Sequence, residues 1–218
     1  MRNTPVIPGL PLSLLLGGCV VAVSASVEIS EPVDAVDITL GVGDLSVETA
    51  PGNILLEAEL GGLSDSELDY DVVDRVLFVD ASCDQQNLCG GTMDLTMPAR
   101  TDLTARVTTG SVDLDGLGGN LYVSSAAGTI RGTSLTAAGA TLVVDVGDVD
   151  VSFARAPDEL AVRVATGDVT LRVPSGAYDL DIRVDRGSVD TRGVTDEAGA
   201  ASLISVTVDA GAVTIIGR

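Results

Sequence analysis

Down most of this chain apolar residues fall on alternate positions, and the alternation breaks at regular intervals on a glycine. Residues 105 to 116, ARVTTGSVDLDG, show the phrase, with glycine in sixth place. It recurs as ITLGVGDLSVET, VSSAAGTIRGTS, LVVDVGDVDVSF, VRVATGDVTLRV, IRVDRGSVDTRG and VTVDAGAVTIIG. The seven copies centre on Gly43, Gly110, Gly128, Gly147, Gly167, Gly187 and Gly211, and from Gly110 onward the steps are 18, 19, 20, 20 and 24 residues. A nearly fixed step marks a repeat architecture, in which each unit buries its apolar face against its neighbours.

Aligned on the glycine, the copies form columns. Two places after it stand Leu45, Val112, Ile130, Val149, Val169, Val189 and Val213; four places after it stand Val47, Leu114, Gly132, Val151, Leu171, Thr191 and Ile215. Five places before it the column is Ile38, Ala105, Val123, Leu142, Val162, Ile182 and Val206, and three places before it Leu40, Val107, Ser125, Val144, Val164, Val184 and Val208. Alternate residues share one face of a strand, so the pattern predicts strand, glycine corner, strand. A sharp corner, or close approach of stacked chains, calls for a residue without Cβ. Aligned corners predict an all-β protein, a β-solenoid of about 20 residues per rung, with a β-sandwich as the alternative.

Composition agrees with a thin, aliphatic interior. Aromatic content is 2%, with no Trp, and Val, Leu and Ile fill the inward columns. β-branched residues stacked on their own kind pack such a core without large rings. A single domain is expected over residues 27–218, less regular at 50–92.

Charge narrows the function. Arg supplies all twelve basic side chains against 32 acidic ones, for a formal net charge of −20. Nucleic acid, whose binding depends on neutralising phosphates, is a poor partner for such a chain. Three places after the glycine the outward column runs Ser46, Asp113, Arg131, Asp150, Thr170, Asp190, Thr214, with no two carboxylates adjacent, which avoids stacking like charges. Most of these carboxylates read as a solvated face.

The first residues, MRNTPVIPGLPLSLLLGGC, do not follow the repeat; they hold one Arg and an apolar run from Leu10 to Leu16 that is too short to span a bilayer. Leu16, Gly17, Gly18 and Cys19 look like a lipobox, predicting a signal peptide over 1–18, lipid on Cys19, and an anchor and short linker over 19–26. The alternative is ordinary signal-peptide cleavage after Val23, Ser24 and Ala25, giving a secreted or periplasmic protein. In an exported chain Cys83 and Cys89, which bracket DQQNL, read as a disulfide that staples a local loop. A zinc site lacks partners, since the chain has no His.

TARVTTGSVDLDGL, glycine-centred units such as VRVATGDVTLRVP and the lipobox together resemble the bacterial putative-adhesin family, domains of unknown function with tandem β-strand repeats. The likeness covers Ser26 to Arg218 and is strongest from Met93 onward. Family members often carry a Gly-Ser-Gly corner, of which this chain keeps one glycine. The resemblance implies surface exposure and adhesion, and it brings no catalytic residues to carry over.

Residue inventory also argues against catalysis. Without His or Lys there is no Ser-His-Asp triad, no histidine base and no Schiff-base lysine. The remaining enzyme reading is a carboxylate pair acting on carbohydrate, for which Asp145, Asp148 and Asp150 form the densest cluster. The same cluster is a weak candidate for calcium, although the GGxGxD pattern of calcium-binding β-rolls is missing. No cofactor is implied. The expected function is a lipid-anchored, non-catalytic envelope scaffold or adhesin; the alternative is an acidic module that binds a cationic ligand. Because the last copy, VTVDAGAVTIIGR, ends the chain and Ala210 to Gly217 hold no charge, that copy is expected to form an open edge that recruits another strand.

Overall fold

A computed structural model describes residues 21–62, 68–81 and 90–218. Among the described residues there are seventeen strands and no helix. The first six are β1 (Val21–Ile29), β2 (Ala35–Thr49), β3 (Ile54–Gly62), β4 (Asp69–Val73), β5 (Val76–Ala81) and β6 (Gly90–Met97). Then come β7 (Asp102–Thr109), β8 (Val112–Asp115), β9 (Leu121–Ala127), β10 (Ile130–Leu135), β11 (Gly139–Val146) and β12 (Val149–Phe153). The last five are β13 (Glu159–Thr166), β14 (Val169–Val173), β15 (Gly176–Arg192), β16 (Val194–Asp196) and β17 (Leu203–Gly217).

Each copy is one layer of a solenoid-like stack, with a first arm before the glycine and a second arm after it. First arms form one parallel ladder in the order β5, β2, β7, β9, β11, β13, β17, β15. Second arms form another, β6, β2, β8, β10, β12, β14, β17, β15. The registers hold the columns in line: Ile38 lies opposite Ala105, Ala105 opposite Val123, and Val123 opposite Leu142. The core lies between the arms, where Ile38, Val123, Leu142, Leu45, Ile130 and Val149 are all buried. Each such side chain contributes on the order of 2 kcal/mol of burial free energy. Where the columns lapse, the structure compensates. Ser125 donates its hydroxyl to the Gly110 carbonyl at 3.4 Å, and Leu135 swings in over Gly132, whose missing Cβ would stand 2.8 Å from it.

The corner glycines form a spine in which no side chain fits. All seven have φ between +138° and +155°, a region that L-residues rarely adopt. A Cβ built on Gly147 would stand 1.9 Å from the carbonyl oxygen of Gly128, and one on Gly128 would stand 1.8 Å from that of Gly110.

The structure departs from the sequence-based expectation in three places. First, the stack does not follow chain order at either end. β17 pairs with β13 and β14 on one side and with β15 on the other, so the last copy is interior and the copy at Gly187 ends the stack. The expected open edge at Ala210–Gly217 is therefore corrected. Its lack of charge suits a rung covered on both sides, whereas β15 carries Asp181, Arg183, Asp185, Arg186, Asp190 and Arg192.

Second, an eighth layer lies within 50–92 and just beyond. β5 supplies its first arm, β6 its second, and Gly91 extends the spine, with its carbonyl oxygen 2.2 Å from where a Cβ on Gly43 would sit. Third, the chain at this end reverses direction: β4 lies antiparallel on β5, β3 antiparallel on β6, and β1 antiparallel on β3. β1 takes in most of the segment expected as a linker at 19–26.

Candidate functional site

The acidic cluster singled out in the sequence is dispersed by the corner. Asp145 is exposed on β11, before Gly147, while Asp148 and Asp150 follow it. Asp148 accepts the Asp168 backbone N–H at 2.8 Å, and Asp150 is ion-paired with Arg172. Among the described residues no group of three or more acidic, His or Cys side chains is arranged to hold a metal ion. Cys19, Cys83 and Cys89 lie outside the described residues.

What sequence reading missed is the role of the position just after the spine glycine. Asp44 accepts from Ser111 N at 2.8 Å, Asp148 from Asp168 N, and Asp168 from Ala212 N at 2.8 Å. Each carboxylate satisfies a corner N–H of the next layer toward β15, so these charges tie rungs together. The signal was an Asp directly after a corner glycine, which composition alone files under solvated charge.

Two shallow grooves run along the outer face of the second arms. One is lined by Ser134, Ser152, Arg172 and Arg218 among others, the second by Glu48, Asp113, Asp115 and Arg131 among others. Their central arginines already face carboxylates, Arg172 toward Asp150 and Arg131 toward Asp113 at 3.7 Å.

The least satisfied surface is the end of the stack at β15. Val213, in the layer below, is fully buried, but Val189 in the same column is 48% exposed, and Ile182 and Val184 are only half-buried. Backbone groups are open there as well. In a parallel ladder alternate residues direct N–H and C=O to opposite neighbours. Asp179 N–H goes to Ser202 O on the side of β17, and Leu180 N–H points the other way, to Asp196 Oδ1 at 3.2 Å. By alternation Ile182 and Val184 direct their groups off the end of the stack. In the second arms Val112, Ile130 and Val149 donate to the following layer; Val189 occupies their column with no layer beyond it among the described residues, and Thr191 follows by alternation.

β16 covers only Gly176–Tyr178 of this edge. There Tyr178 is buried and donates its hydroxyl to Pro174 O at 2.7 Å, and burial raises its pKa above the usual value. The outward side chains of the open stretch form two along-strand pairs, Asp181 with Arg183 at 3.1 Å and Asp190 with Arg192.

A stack of parallel β layers turning on a glycine spine, closed at one end by antiparallel strands, defines the class of protein. Residues 24–212 match the Toastrack DUF4097 family, and the chain belongs to that family. No curated protein matches it. Among solved structures it is similar to a putative cell adhesion protein from Clostridium sporogenes, with 11% identity and a TM-score of 0.50 over 90% of this chain and 100% of that one. It is also similar to a putative adhesin from Bacteroides fragilis, with 13% identity and a TM-score of 0.51 over 89% and 96%. At these identities the likeness establishes the fold.

Proposed function

We propose that the chain is a non-catalytic protein of the bacterial cell envelope, held to a membrane by lipid on Cys19 and presenting its stack as a surface scaffold or adhesin. The observation that carries this reading is the position of the candidate tether relative to the fold. β1 starts at Val21, two residues after Cys19, and is the outermost strand at the capped end. A lipid on Cys19 would hold that end at the bilayer and direct the β15 end outward. Nine inter-strand steps of ~4.8 Å separate β1 from β15 along β3, β6, β2, β8, β10, β12, β14 and β17, so the open end would stand roughly 43 Å away.

Family membership and the adhesion proteins of like fold support a surface role rather than an enzymatic one. The acidic body suits an anchor that is covalent and lipidic, since acyl chains then supply the hydrophobic attachment. In an oxidising envelope Cys83 and Cys89 would pair across the DQQNL stretch that separates them in sequence.

Metabolic labelling with a palmitate analogue tests the anchor. The wild-type chain is expected to take the label and fractionate with membranes, and Cys19→Ser to lose both properties. Equal labelling of the two chains would overturn the reading.

A further inference from the structure

We propose that the open end is a docking surface for a second copy of this chain, joined end to end through antiparallel pairing of the two β15 edges. A layer with two arms can be turned over about the line that bisects its corner. That rotation lays the first arm of one copy on the second arm of the other and points the two stacks in opposite directions. It is the operation of a twofold dimer.

The sequence of β15 fits one register of this arrangement. With Arg186 of each copy opposite Gly187 of the other, Asp181 lies opposite Arg192, Arg183 opposite Asp190, Val184 opposite Val189 and Ile182 opposite Thr191. Every charge that faces a charge faces its opposite. Together with the pairs Asp181–Arg183 and Asp190–Arg192 within each chain, the result is a ring of four alternating charges, formed twice by symmetry. Sliding by two residues one way sets Asp181 against Asp190; the other way sets Arg183 against Arg192 and Asp185 against Asp190. Sliding by one puts inward side chains on the outward face. In-register parallel stacking would set each charge on its like.

Backbone and core agree with the same register. In an antiparallel ladder, directly opposed residues exchange both hydrogen bonds when their groups face each other. The residues whose N–H and C=O point off the stack, Ile182, Val184, Val189 and Thr191, are those the register opposes to one another. The ion pairs then fall on the non-hydrogen-bonded positions, where side chains stand closer. Val184, Val189 and Ile182 become covered, so the apolar columns run on from one stack into the other. The paired stretch 181–192 lies beyond the Gly176–Tyr178 segment that β16 covers, and Gly193, with a φ of +69°, breaks the strand before β16 begins.

The dimer does not depend on lipidation of Cys19. If the anchor is also present, the two tethered ends lie at opposite ends of the assembly, so the pair would join two membrane surfaces rather than sit side by side on one. This orientation alone rests on the reading under Proposed function.

Sedimentation velocity of the full chain carrying Cys19→Ser, unable to be lipidated, tests the interface apart from the anchor. The mass is expected to double with rising concentration, and amides of Ile182, Val184, Val189 and Thr191 to gain hydrogen-exchange protection as it does. Arg183→Asp with Arg192→Asp makes the four paired positions of the edge all acidic, and Asp181→Arg with Asp190→Arg makes them all basic. Each double variant alone should associate on the order of a hundredfold more weakly. Mixed, they should form a heterodimer, which misfolded variants could not do. A chain that stays monomeric at every concentration, variants that dimerise like the wild type, or a mixture that fails to pair would each overturn the proposal.

Discussion

The two ends of the stack are built from the same kind of layer and finished differently. At the end near β1 the inward residues Leu77, Val79, Met93 and Leu95 are buried, because β3 and β4 add strands in the opposite direction and continue the covering. At the β15 end no such strands follow among the described residues, and Val189 lies 48% exposed although its column mates are sealed. Inward position therefore does not by itself bury a side chain here. Burial comes from the neighbouring layer, as expected for a quasi-one-dimensional protein.

The largest test of this contrast is steric. Gly147→Ala forces a methyl 1.9 Å from the Gly128 carbonyl at a φ of +138°, with layers fixed on both sides. The expected loss is about 4 kcal/mol or more, or failure to fold. At Gly187 the added methyl would stand as close, 1.7 Å from the Gly211 oxygen, but there β15 pairs with β17 alone and can shift outward. The loss there should be about 2 kcal/mol. Urea midpoints at unchanged slope would measure both, and equal losses would mean the end layer is held as firmly as the interior.

A smaller effect separates two valines in one column. Val213→Ala leaves a cavity in a sealed core and should cost about 2 kcal/mol; Val189→Ala removes a side chain that already meets water and should cost well under ~1 kcal/mol in the monomer. Denaturation at low concentration, where copies are apart, is the measurement. A matching loss at Val189 would show that something covers it even in the single chain.

Much of this was legible because the period-two columns and the glycine answer to local physics. Alternation sets which side chains face in, and a carbonyl under 2 Å from a would-be Cβ admits only glycine. Layer order was not legible, because inward columns of Val and Ile stack almost interchangeably and nothing local ranks β15 against β17. The readable clue was charge: Ala210–Gly217 carry none, which suits an interior layer as well as a sticky edge. The eighth layer was hidden because residues 82–89 separate its first arm from Gly91, although Met93 and Leu95 stand two and four places after that glycine. Among the candidate site residues, the corner glycines share one spine, while the Asp145, Asp148 and Asp150 cluster does not converge. A fold that turns sharply between adjacent carboxylates sends them to different arms.

An effect of a different kind, on the pH dependence of stability, sits at the back of the open end, where Tyr178 closes the core beneath β16. Its ring is buried and its hydroxyl donates to Pro174 O at 2.7 Å. Burial disfavours the phenolate, so the folded pKa lies above the usual 10.0. The sign follows from proton binding: above pH 10.0 the unfolded chain loses this proton while the folded chain keeps it, so the unfolded state gains. The stability contribution is thus fully present below pH 10.0 and is lost as pH rises through the folded value. Tyr178→Phe should cost about 1 kcal/mol at neutral pH, through the lost hydrogen bond. It should also flatten the decline above pH 10, because the buried phenol that causes it is gone. A variant whose stability falls as steeply as the wild type across that range would show that the loosely covered end admits enough water to let Tyr178 ionise like a surface tyrosine.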